Sequence, residues 1–302
     1  MNESPPTTPA CYRHPDRETY VRCTRCDRPI CPDCMRDAAV GFQCPECVAE
    51  GRRSVRPART AFGGGAAGRH GYVTKALIAL NLLVMLVSIG SDRGGDAAAG
   101  GAGFGGLLGG GTPLTAWGAV YAISPPGYLP MGIANGEWYR LVTAMFLHYG
   151  LLHLLLNMWA LWVLGRSLEA SLGRLRFLGL YLLAGLGGNV AAYAFSHPQA
   201  ATVGASTAVF GLFAALIIIE RKMGRDISQV IPILVINLIF TFTVPGISVP
   251  GHLGGMLIGG AMALVLAYAP RSHRTRVQVA GGAVLLLLLL GLAVVRTAAL
   301  LT

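Results

Sequence analysis

The sequence predicts an all-α polytopic membrane protein with a small cysteine-rich domain at its N-terminal end. Three observations predict it. The chain of 302 residues is 53% hydrophobic and only 13% charged, where a soluble domain carries about 25% charged residues; its mean hydropathy is +0.56. Seven apolar segments of membrane-spanning or nearly spanning length follow residue 72. All seven cysteines and eight of the fourteen acidic residues lie within the first fifty positions, so a polar part and an apolar part separate along the chain.

The head, residues 1–50, carries Cys11-x2-His14, Cys23-x2-Cys26, Cys31-x2-Cys34 and Cys44-x2-Cys47. Seven cysteines are an odd number for disulfides, but His14 completes eight ligands, which suits two tetrahedral zinc ions. So short a segment has little apolar core, and metal binding would supply its folding energy. A cross-braced arrangement is favoured, with Cys11, His14, Cys31 and Cys34 on one ion and Cys23, Cys26, Cys44 and Cys47 on the other. The head resembles a small B-box-type zinc finger. Eight protein ligands leave no open position for water, so these ions are read as structural, and no cofactor is expected for catalysis.

Residues 51–71, with Arg52, Arg53, Arg56, Arg59 and Arg69 among Gly and Ala, read as a flexible basic linker able to contact anionic headgroups. The formal charge of +10 does not imply nucleic acid: residues 1–75 hold twelve Lys/Arg against eight acids, with no basic stripe interleaved with aromatics.

A bilayer core takes about 20 apolar residues per helix. The candidate spans are roughly 72–90, 144–165, 175–195, 204–220, 227–243, 251–269 and 279–299, six forming a core over 72–270 and a seventh belonging to 271–302. The first apolar stretch lies too far along for a secretory signal, so the head is expected on the cytoplasmic side. Counting Lys and Arg agrees: that orientation puts 21 of 24 on the cytoplasmic side and leaves Arg93, Arg140 and Arg296 opposite. The expected location is the plasma membrane, multi-pass, with an extracytoplasmic C-terminus. Residues 91–137 then form a long outer loop, Gly-rich in its first part and ending on the aromatic and cationic Trp138-Tyr139-Arg140. An Arg-rich, Gly-rich composition (22 Arg, 2 Lys and 41 Gly) suggests a GC-rich bacterial genome.

Polar residues inside spanning segments are costly and mark function. The second segment holds His148, His153 and Asn157, the last two on one helical face. Gly204-Ala205-Ser206 opens the fourth segment and Gly251-His252 the sixth. All three segments run from outside to inside in this topology, so the groups converge just below the outer surface. A serine hydroxyl needs a base to become a nucleophile, and histidine is the usual one. Asn157, His153 and the Ser206 backbone N–H are candidate oxyanion donors. No carboxylate lies at that depth, so a Ser–His dyad is expected. A lone serine in a membrane helix would be read as packing; four such groups on three segments are read as a catalytic site.

These residues are where the sequence resembles the rhomboid family of intramembrane serine proteases, over about residues 72–270. The resemblance rests on His148-x4-His153-x3-Asn157, Gly204-Ala205-Ser206, Gly251-His252-x2-Gly255-x3-Gly259 and Trp138-x-Arg140. It implies a rhomboid-like six-helix core with an added C-terminal helix. It further implies a Ser206 nucleophile, a His252 base, and His153 and Asn157 near the oxyanion, with His148 and Gly204 alongside. Trp138 and Arg140 would shape the first outer loop, and Glu169 matches a structural position. Thr207 stands where the family often has Gly and would narrow the site. Phe210 takes the aromatic position expected against the histidine, and Gly251 replaces a common Ala.

The function expected is hydrolysis of single-pass transmembrane proteins near their outer membrane boundary. The alternative is a non-proteolytic membrane adaptor that binds transmembrane clients and recruits a cytoplasmic partner through the zinc domain. A transporter would need paired charges or broken helices near the midplane, and none is visible.

Overall fold

Residues 8–54, 58–65, 70–91, 111–124 and 129–302 are described in a computed structural model, and the chain divides into two units, Met1–Ala58 and Arg59–Thr302. The first unit has almost no conventional core. Its buried apolar residues are Ile30 and six of the cysteines. Two short strands, β1 (Arg36–Asp37) and β2 (Phe42–Gln43), pair antiparallel. A helix, α1 (Pro45–Ser54), follows with Cys47 as its buried residue.

The second unit is helical. Its elements are α2 (Tyr72–Gly90), the short α3 (Pro113–Gly118) and α4 (Arg140–Thr143), α5 (Gly150–Leu172), α6 (Arg174–Phe195), α7 (Ser206–Lys222), α8 (Val230–Thr243), α9 (Val249–Tyr268) and α10 (Arg274–Leu301). Among the described residues, α2, α5, α6, α9 and α10 are long and apolar enough to cross a membrane; α8 is apolar but has only 14 residues. The 17-residue α7 is short because it starts below a buried, extended loop. That loop pairs Thr202 with Val120 and hydrogen-bonds Gly204 N–H to the Ala144 carbonyl. Non-helical backbone at membrane depth is tolerated where protein satisfies its polar groups.

α7 is the central helix, packed by α6, α9 and α5. Its contact with α9 depends on glycine. A Cβ at Gly255 would stand 1.9 Å from the Thr207 carbonyl oxygen, and one at Gly259 would stand 2.4 Å from Gly211 Cα. Without Cβ atoms the two backbones touch directly, as small-xxx-small spacing allows.

Two expectations change. The second apolar segment does not begin at residue 144. Ala144–Phe146 is a 3-10 turn, Leu147 is extended, and α5 starts at Gly150, whose φ is +76°. The Ala144 carbonyl accepts from Gly204 of the loop before α7, and His148 lies ahead of the helix that carries His153 and Asn157. The expected linker 51–71 is also not one flexible piece. Residues 51–54 continue α1, and Phe62 is buried in the membrane core, its carbonyl accepting from Gln278. The rest of that linker (55–57 and 66–69) and the Gly-rich part of the long loop (92–110) lie outside the described residues.

Candidate active site and metal clusters

α7 and α9 bring Ser206 and His252 together: Ser206 Oγ lies 2.9 Å from His252 Nε2. The histidine is buried, and its ring stacks on Phe210 at 4.1 Å between centroids and 16° between planes. On its far side Nδ1 lies 2.8 Å from Thr241 Oγ1 of α8. Thr241 has one hydroxyl hydrogen, and the Asn237 carbonyl, 2.8 Å away, accepts it. The His252–Thr241 bond is therefore made by the Nδ1–H donating to the hydroxyl oxygen, which leaves Nε2 as the acceptor facing Ser206.

Thr241 was not anticipated from the sequence. Its signal is slight: it sits four residues after Asn237, on one face of a helix whose other polar residue is Thr243. In the fold it is the buried residue of α8, whose other side chains are exposed or half-exposed.

The remaining predicted groups gather less uniformly. His153 closes one side of Gly204, whose φ is +129°. A Cβ there would meet His153 Nε2 at 2.9 Å and Ser206 Oγ at 3.3 Å, so glycine lets the imidazole and the hydroxyl share one small space. Asn157 is buried, but one of its amide hydrogens is held by the His153 carbonyl in the preceding turn at 2.8 Å. His148 is buried, with its ring 5.1 Å from that of His153, and its Nε2 accepts from the Ala205 N–H at 3.4 Å. It braces the residue before Ser206.

The Thr207 Cβ and methyl group lie against Gly188 of α6 and Gly251 of α9, where added Cβ atoms would meet them at 2.5 Å and 3.4 Å. The two glycines make room for the β-branched side chain.

Arg140 organises the segment leading in. Fully buried, it bonds Glu137 at 2.7 Å, donates to the Ala116 and Ala119 carbonyls, and lies over the Tyr121 ring. Burial alone would raise the Glu137 carboxyl, but the Arg140 hydrogen bond and the Gly132 N–H outweigh it and hold it below the usual range. Glu169, also fully buried, accepts from the N–H groups of Val73 and Thr74 and from the Thr74 hydroxyl, and so caps the start of α2.

In the head, the ligand atoms of Cys11, His14, Cys31 and Cys34 lie within 4.8 Å of one another, as do those of Cys23, Cys26, Cys44 and Cys47. The edge of a tetrahedron around zinc with 2.3 Å bonds to sulfur is about 3.8 Å. Cys26 and Cys44 sulfurs are 3.7 Å apart, and His14 Nδ1 is 3.3 Å from Cys31 Sγ and 3.4 Å from Cys34 Sγ. The donor sets fit a metal ion of that size. Burial opposes ionisation of Cys11 and Cys23, but backbone N–H groups outweigh it and bring each thiol down to about 6. Burial and neighbouring sulfurs push Cys34 up to about 11 and Cys47 up to about 12.

The helical membrane unit and its Ser206–His252 contact can be set beside known proteins. The Rhomboid domain profile matches residues 135–269. Over 146 residues the chain is 44% identical to the rhomboid protease GluP of Bacillus subtilis, covering 46% of this chain and 28% of GluP. Over 149 residues it is 34% identical to the rhomboid-family protein YdcA of the same organism, covering 48% of this chain and 74% of YdcA. RHOMBOID-like protein 5 of Arabidopsis thaliana is 36% identical over 148 residues, 46% of this chain and 47% of that protein. The chain belongs to the rhomboid family of intramembrane serine proteases and is a multi-pass membrane protein. It spans less than half the length of GluP and of the Arabidopsis relative, and the head lies outside the residues that the Rhomboid profile matches.

Proposed function

We propose that this chain is a serine endopeptidase that cuts transmembrane proteins near the outer membrane boundary, with Ser206 as nucleophile and His252 as general base. The observation that carries the reading is the 2.9 Å contact from Ser206 Oγ to His252 Nε2, with Nδ1 anchored on Thr241. In the first step Ser206 Oγ bonds to the scissile carbonyl carbon while its proton passes to Nε2. As the intermediate collapses, the C–N bond breaks and Nε2 gives that proton to the leaving amine nitrogen. Water then hydrolyses the acyl-enzyme by the same route. His153, with its ring beside Gly204, and the Ser206 backbone N–H at the start of α7 are the oxyanion donors. Asn157 joins them through its second amide hydrogen. The dyad is completed by a neutral hydroxyl, Thr241, in place of a carboxylate.

Substrate enters laterally past α8, the helix that buries only Thr241 against its neighbours. In the proposed topology the head is cytoplasmic and the C-terminus extracytoplasmic, with residues 72–270 as protease core, 271–302 as an added helix, and two structural zinc ions in residues 1–50.

The test is purified full-length protein in liposomes with a model single-pass substrate bearing helix-breaking residues near its outer end. Cleavage by wild type, lost in Ser206→Ala and in His252→Ala by at least three orders of magnitude, is expected from the cost of removing either member of such a pair. Equal cleavage by all three proteins would sink the dyad. A fully inert wild type across several helix-broken substrates would favour the adaptor.

A further inference from the structure

The end of the membrane unit where α10 begins carries a basic cup of about 510 Å³, unrelated to the serine site. Arg59, Arg271, Arg274 and Arg276 line it, and no acidic residue does. None of the ion pairs among the described residues involves these four. The cup lies at the first turn of α10, whose backbone N–H groups have no intrahelical acceptors and carry the positive end of the helix dipole. Arginine forks and a helix start together form an anion site.

The cup opens on something a soluble anion would not need. Thr275 lines both the cup and an apolar groove of about 680 Å³ between α6, α9 and α10. Arg176 stands at the junction: it lines the groove, bonds Thr275 Oγ1 at 3.3 Å, and its Nη2 would lie 3.5 Å from a Cβ on Gly63, a cup residue. Below it the wall is Gly179, Leu183, Met262, Leu266 and Leu286. From Thr275 to Leu286 is about 17 Å along α10 at 1.5 Å per residue, close to half of a 30 Å hydrocarbon core.

We propose that this composite holds one anionic phospholipid, its phosphate in the arginine cup and an acyl chain in the groove through a single leaflet. A nucleotide or inorganic phosphate would fill the cup and leave the groove unused, and a zwitterionic phospholipid would bring its own ammonium group beside four arginines with no acid among the lining residues to receive it. The length, polarity and charge of the two cavities match a lipid with net negative charge. The proposal is independent of the proteolytic reading.

Native mass spectrometry of the full-length protein, stripped of lipid in detergent and offered dioleoyl phosphatidylglycerol or dioleoyl phosphatidylcholine, tests it. Each basic residue near an anionic surface is worth about fivefold in binding. Wild type should retain one phosphatidylglycerol with at least a tenfold preference. Arg271→Gln with Arg276→Gln should lower that retention by roughly 25-fold. The Lys versions at the same two positions should keep most of it, which separates charge from a folding defect. Gly179→Leu, placed where an added Cβ meets nothing within 4 Å, should weaken both lipids by blocking the groove. Inorganic pyrophosphate should compete only at concentrations at least tenfold above the lipid. Equal retention of the two lipids, indifference to the Gln pair or to Gly179→Leu, or pyrophosphate binding as tight as the lipid would each overturn the proposal.

Discussion

The head and the membrane unit contrast in what specifies them. The head buries one isoleucine and a set of cysteines, so its order depends on eight ligand atoms held in two groups of four. The membrane unit draws its order from shape, with backbones of α7 and α9 in direct contact at Gly255 and Gly259. One is organised around eight side chains able to hold metal ions and the other around space that a single methyl group can fill. The two parts should therefore fail under different insults.

Metal removal should have the largest effect and should spare the membrane unit. A structural zinc contributes on the order of 10–16 kcal/mol to a small domain at neutral pH, far beyond the handful of buried contacts in the head. Treating the full-length protein with a strong chelator should therefore expose residues 8–54 to limited proteolysis, while the membrane helices and substrate cleavage persist. Metal analysis of the untreated protein should give two equivalents of zinc. Loss of cleavage in parallel with loss of metal would show that the head controls the site and break the comparison.

Overfilling the helix contact should do the reverse. In Gly255→Leu the new side chain starts 1.9 Å from a backbone oxygen that cannot rotate away. Overpacking of a well-packed core costs about 1–3 kcal/mol and more where backbone must move, so thermal unfolding in detergent should fall by many degrees and cleavage should vanish with it. Gly260→Ala is the companion: its Cβ meets Ala214 Cβ at 3.5 Å, an ordinary contact, and should be tolerated. The zinc content of both variants should stay unchanged.

The two parts were also legible in the sequence to different degrees, for the same reason. Ligand spacing is local, so Cys-x2-Cys and Cys-x2-His pairs announce the head directly, and the two groups of four found in space follow from pairs of pairs. In the membrane unit, hydropathy locates helices because lipid demands long apolar runs, and Ser206 and His252 stand out as polar groups within them. Hydropathy does not register tertiary hydrogen bonds. Met145 and Phe146 are as apolar as any helix residue, yet the Ala144 carbonyl accepts from both Leu147 of a 3-10 turn and Gly204 of a distant loop, and α5 starts only at Gly150. Thr207 was visible, but its direction was not, because only the fold shows that Gly188 and Gly251 leave it a place. Thr241 was hidden for a further reason: a threonine bonded to the i−4 carbonyl is common in membrane helices, and its second partner lies on another helix.

That second partner gives the smallest expected effect and the finest division between chemistry and packing, now within the active site. Thr241→Val keeps the side-chain shape and removes the acceptor for the His252 Nδ1–H. A neutral hydrogen bond of this kind is worth about 1 kcal/mol net, so the loss of the favoured tautomer and ring orientation should lower kcat by roughly fivefold. KM should change little, since the hydroxyl is turned away from the space in front of Ser206. Thr241→Ser restores the acceptor while removing the methyl group. If orientation is the role, Ser recovers kcat despite the smaller side chain; if packing is the role, Ser behaves worse than Val and the melting temperature follows the methyl group. Parallel loss of kcat in Val and Ser would remove Thr241 from the mechanism and leave Phe210, stacked on the same ring, as the group that fixes His252.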